Sequence, residues 1–141
     1  MKVNPYLNFD GNAREAFEFY KSVFGGEFSA VQTFGEMPAG DKPMSEEEKA
    51  LVMHISLPLG DGQFLMASDV SKAMGMKLVV GNNNYISLHP DSLEEAKKLF
   101  KELSEGGEIE MAFEKQFWGD HFGSFKDKFG VGWMINYHEG K

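Results

Sequence analysis

An internal duplication constrains this chain more than any other feature. Two amphipathic helices follow the same pattern, "NAREAFEFYKSVFGG" from residue 12 and "SLEEAKKLFKELSEGG" from residue 92. Each opens on a residue that can accept a hydrogen bond from the first turn, Asn12 or Ser92. A glutamate follows three positions later, Glu15 or Glu95, in the capping-box spacing. Ala13, Ala16, Phe17, Tyr20 and Phe24 make one apolar stripe; Leu93, Ala96, Leu99, Phe100 and Leu103 make the other. A double glycine ends each helix, Gly25-Gly26 and Gly106-Gly107. An offset of 80 superposes the helix starts and also lays "NPYLNF" on "NYISLH". Capping box, stripe, terminal glycines and preceding strand agree together, which is the mark of a doubled unit.

Strand-like runs follow each helix. They cover 27–34, 51–59 and 63–70 in the first half and 108–117, 121–129 and 131–138 in the second. "LGDGQ" and "KFGVG" read as hairpin turns, with Gly62 and Gly130 free to take positive φ. The order is β-α-β-β-β, twice, in modules 1–70 and 82–138 of a single domain, 1–141. Residues 36–49 read as a polar connector in which "SEEEK" is a solvated charge run. Residues 71–81 join the modules. With 42% apolar residues, a chain of this length can bury a core of its own.

A net charge of −8 argues against nucleic acid and anionic membrane surfaces as partners. The absence of cysteine removes thiolate chemistry and Cys-based zinc sites. No run approaches the ~20 apolar residues of a membrane span, and "MKVNPYLNF" lacks the pattern of a secretory signal. A cytoplasmic protein is the default expectation. No phosphate-cradling loop, dinucleotide fingerprint or Ser-His-Asp pattern is present.

The doubled β-α-β-β-β unit, with "FYKSVFGGE" in the first half and "F-W-G-D" leading into "KDKFGVGW" in the second, resembles the vicinal oxygen chelate superfamily. That group holds glyoxalase I, extradiol dioxygenases and the fosfomycin and bleomycin resistance proteins. The likeness is greatest to the PhnB-like branch, whose members often carry a demethylubiquinone methyltransferase label. The order of elements here does not give the doubly wound parallel sheet a methyltransferase would need. Lys128 departs from the branch, which usually has Pro at that turn; Asp127 and Gly130 are kept, so the turn is expected to form. The resemblance implies an α+β fold of two modules whose mixed sheets curl around a cavity, helices outside, in a homodimer.

Metal-using members hold their ion through the first and last strand of each module, usually His or Gln first and Glu last. Carried over by position, the first-strand ligands fall on Pro5 and Tyr85 and the last-strand ligands on Met66 and Met134. Proline offers no side-chain donor, methionine is a soft thioether poorly suited to hard divalent cations, and one phenol cannot hold a site. The expectation is no metal and no cofactor. Pro5, Tyr85, Met66 and Met134 instead make an adaptable apolar surface, either lining an open pocket or filling it as core.

The polar candidates are His54, Asp69 and His121. By strand alternation His54 faces away from Ile55 and Leu57, as a general base or as a histidine satisfied by one hydrogen bond. Asp120 stands next to His121 and is positioned in sequence to orient it. Asp69 ends a strand, as an acid-base group or as a turn cap. Trp118 reads as a pocket-mouth residue and Trp133, out of phase with Met134, as core. His89 reads as a structural corner and His138 as solvated. Two functions are carried forward. The first is metal-free binding of a small apolar or aromatic molecule. The second is a divalent-metal lyase, isomerase or dioxygenase with a site relocated onto His54, His121, Asp69 or Tyr85.

Overall fold

The computed structural model describes residues 1–38 and 43–140. It resolves into two compact units, Met1–Val79 and Val80–Lys141. The first carries β1 (Tyr6–Phe9), α1 (Ala13–Phe24), β2 (Ala30–Thr33), α2 (Glu46–Ala50), β3 (Val52–Gly60) and β4 (Gln63–Asp69). The second carries β5 (Ile86–Leu88), α3 (Leu93–Ser104), β6 (Glu108–Lys115), β7 (His121–Lys126) and β8 (Gly132–Tyr137). Each unit forms a four-stranded mixed sheet, in the orders β1-β4-β3-β2 and β5-β8-β7-β6, and neither sheet closes on itself. In both, the first strand runs parallel to the last and the remaining neighbours are antiparallel. This is the α+β fold expected from the duplicated sequence.

The helical stripes bury at their centres, while Phe24, Leu93 and Leu99 stay half-buried. Ala13, Ala16, Phe17 and Tyr20 of α1 are buried, Phe17 standing edge-on to Phe9 of β1 and to Tyr20. Ala96, Phe100 and Leu103 of α3 are buried, and Phe100 stands edge-on to Phe125 of β7. Each fully buried aromatic contributes about 2–3 kcal/mol of apolar transfer energy. Trp133 lies wholly inside the second unit, and its indole Nε1 donates to Oδ2 of Asp127 at 2.8 Å. The other oxygen of Asp127 accepts the amides of Phe129 and Val131, which closes the β7–β8 turn with Lys128 in place of proline. The β3–β4 hairpin turns through Asp61 and Gly62, both at positive φ, as a two-residue turn of the primed type demands.

Two local readings are corrected and one holds. Asn12 makes no side-chain cap on α1; the amide of Ala13 is held by Oδ1 of Asp69, 56 residues away in sequence. Ser92 does cap α3, accepting from the amide of Glu95 at 3.1 Å. The charge run "SEEEK" is not only a solvated connector, because Ser45 caps the amide of Glu48 at 3.1 Å and starts α2. Part of the 36–49 connector, residues 39–42, lies outside the described residues.

Candidate functional site

Strand alternation gives each sheet two faces, one against its helix and one turned away. In the first unit Leu7, Phe9, Ile55, Leu57, Leu65 and Ala67 alternate with the residues of the second face. The register places Tyr6 beside Met66 and Met66 beside Ser56. His54 stands two residues from Ser56 on the same face, and Nδ1 of His54 lies 3.1 Å from the Tyr6 hydroxyl with the two rings stacked. Asn8 and Ser68, a further register pair, are joined at 3.3 Å. Methionine therefore sits in a setting of hydroxyls, a phenol and an imidazole.

The second unit repeats the pattern. Met134 stands between Ser87 of β5 and Ser124 of β7, as Met66 stands between Tyr6 and Ser56. Tyr85 lies just ahead of β5, with its ring over Gly132, where an added Cβ would come within 2.9 Å of it. Its hydroxyl donates to Glu110 at 2.7 Å. That bond, then desolvation and the carboxylate charge, raises the Tyr85 phenol above its ordinary value.

The candidates read from the sequence distribute unevenly over these faces. Pro5 precedes β1 and gives its carbonyl to the amide of Met66, so Tyr6 rather than Pro5 is the side chain abreast of that methionine. Asp69 belongs to the helix side: it is buried, and its two oxygens accept the amides of Ala13 and Val52 at 2.9 and 2.8 Å. Those bonds make it a structural clamp. His121 alternates with Phe122 and so shares the α3 side with Phe125, packed near Phe113 and Tyr137. Its Nδ1 is buried without a hydrogen bond, 3.7 Å from a Glu139 oxygen. Asp120 orients not His121 but His138, whose Nδ1 it accepts, and Oδ2 of Asp120 accepts the Asn136 amide at 3.0 Å. Trp118, half exposed, sits in the β6–β7 turn edge-on to Phe117, with its ring 6.2 Å from that of Phe122.

Among the described residues no group of three or more His, Asp and Glu converges as metal ligands. A cavity of about 220 Å³ opens in the first unit between Asp10, Glu47, Glu48, Leu51, Val70 and Lys72. It contains none of the eight candidates and is smaller than the ~300 Å³ at which ligand pockets usually begin. Sequence reading missed Tyr6, Ser87, Ser124 and the Asp120–His138 pair. Alternation counted outward from Met66 and Met134 along the sheet would have found the first three; the last needed the tertiary fold.

A family profile described as 3-demethylubiquinone-9 3-methyltransferase matches residues 1–136. The Escherichia coli protein YjdN is 32% identical, over 96% of this chain and 95% of its own. The chain belongs to this PhnB-like family. Solved structures share the fold. PA1353 from Pseudomonas aeruginosa shares 38% identity over 98% of both chains with a TM-score of 0.85. A PhnB protein from Bacillus cereus shares 26%, over 97% of this chain and 99% of its own, with a TM-score of 0.74. A glyoxylase/bleomycin resistance protein/dioxygenase domain from Frankia, 11% identical over 100% of this chain and 94% of its own, shares the PhnB-like fold at a TM-score of 0.68.

Proposed function

We propose that this PhnB-like protein binds a small, largely apolar or aromatic molecule on the helix-averted sheet faces, without a metal ion. The observation that carries the reading is the pair of equivalent methionines, Met66 between Tyr6 and Ser56 and Met134 between Ser87 and Ser124. Thioethers and neutral hydroxyls are poor partners for hard divalent cations and good ones for a polarizable ring. In the first unit the stacked Tyr6 and His54 rings add a flat surface, and in the second the half-exposed Trp118 adds another. Transfer of a methyl group is not part of the proposal: both sheets are mixed, and neither has the doubly wound parallel order that seats a nucleotide-derived cofactor.

The test is calorimetric titration of untagged protein with 4-nitroanisole, a neutral flat aromatic, alongside native mass spectrometry and elemental analysis of freshly isolated protein. Saturable binding at one site per chain or per dimer, with quenching lost in Trp118→Phe, supports the reading. No saturable binding refutes it. A stoichiometric divalent metal that disappears in His54→Ala would move the protein to the metal-dependent lyase, isomerase or dioxygenase class. No helix among the described residues is long and apolar enough to cross a membrane. A cytoplasmic homodimer is the form we propose for this activity, to be checked by light scattering and cell fractionation.

A further inference from the structure

The Asp120–His138 pair stands apart from the methionine-centred faces. Asp120 is a carboxylate and can only accept, so the hydrogen it receives from His138 sits on Nδ1. That fixes the tautomer: Nε2 of the neutral ring carries the lone pair. Asn136 secures the carboxylate from a second side, at 3.0 Å, and Asp120 is largely withdrawn from water. His138 is itself over half exposed, and its Nε2 makes no hydrogen bond among the described residues. An imidazole held this way is an aimed acceptor for an acidic hydrogen.

Its surroundings supply a ring-binding surface. Asn136 is the register partner of Phe122 on the face that carries Met134, and the Phe122 ring lies 6.2 Å from that of Trp118. We propose that the Asp120–His138 pair is a recognition site for a phenolic hydroxyl: the aromatic ring lies against Trp118 and Phe122, and its O–H donates to His138 Nε2. Asp120 is a positioning residue that stabilises the imidazolium as the phenol proton moves toward it. This assignment rests on the aromatic-binding reading above and narrows its ligand to phenols.

The test compares 4-nitrophenol with 4-nitroanisole, which matches it but has no O–H. The dyad predicts that the phenol binds about tenfold more tightly, the margin expected when one hydrogen bond gains charge assistance. It also predicts a rise in the visible absorbance of bound nitrophenol at fixed pH, as the proton shifts toward His138. His138→Ala and Asp120→Asn should abolish the margin and the absorbance change while leaving 4-nitroanisole affinity and the near-ultraviolet circular dichroism intact. Equal affinity for the two compounds, or a margin that survives His138→Ala, would overturn the phenol site and leave the aromatic-binding reading standing. Binding of neither compound would overturn both.

Discussion

Replacing Asp69 with alanine separates a structural carboxylate from a catalytic one. Asp69 is 2% exposed and holds two backbone amides, Ala13 at the start of α1 and Val52 at the start of β3. A hydrogen bond to a charged group contributes about 1.5–3 kcal/mol, and leaving a buried amide unmet costs about 1–3 kcal/mol. These overlap rather than add, since the carboxylate also loses its own burial penalty. The expected destabilisation of Asp69→Ala is about 3–5 kcal/mol. Asp69→Asn keeps one accepting oxygen and sets an amide N–H₂ against the other backbone donor, so it should cost about 2–3 kcal/mol. Urea unfolding followed by far-ultraviolet circular dichroism measures both through the shift in midpoint at constant slope. At low urea, where the variants remain folded, affinity for 4-nitroanisole should be unchanged. A loss below about 1 kcal/mol in Asp69→Ala, or ligand affinity lost from a folded Asp69→Asn, would refute the clamp.

Three further outcomes are expected. Gly107→Ala should cost about 3 kcal/mol or more, because its Cβ would lie 2.1 Å from the Lys126 carbonyl oxygen. Gly106→Ala, at φ +78 but with its nearest neighbour 3.5 Å away, should cost only about 1–2 kcal/mol; thermal melts of the two variants check the ranking. Glu110→Gln should lower the Tyr85 phenol toward its ordinary value of 10.0, read by ultraviolet titration of tyrosinate against a Tyr85→Phe control. Because the folded-state value is raised, whatever stability the Tyr85–Glu110 bond gives is complete below pH 10.0 and is lost as pH climbs through the raised value. Ser71→Ala removes a fully buried hydroxyl that donates to Glu48 at 2.7 Å and accepts from Met74, and should cost about 1–2 kcal/mol in urea unfolding without changing aromatic binding.

The parts of this architecture that were legible in the sequence are those decided by neighbours. Helical stripes, the Ser92 cap, and the turns at Gly62 and Gly130 depend on residues within four positions of each other. The matched positions of Met66 and Met134 were legible too, since each lies four residues beyond a turn glycine. What failed depended on distant partners. Asn12 looked like a cap because nothing local announces that Asp69 will arrive at the same amide. Pro5 came from the family resemblance and Tyr85 from it by the internal offset of 80, whereas the sheet pairs Tyr6 with Met66 and Ser87 with Met134. His121 drew attention because Asp120 is its sequence neighbour, yet adjacent residues on a strand face opposite ways and Asp120 reaches His138 instead.

The first-turn amides of α1 and α3 are capped from very different distances, and this difference predicts which helix can form on its own. Ser92 sits beside the turn it caps, so α3 can gain that bond as soon as its own segment coils. The Asp69 cap on α1 arrives only when β4 has come alongside β1, after most of the first module has been synthesised. A peptide spanning 91–107 should therefore be more helical in water than one spanning 11–27. In the first module, by contrast, the helix start and the last strand are expected to become ordered together.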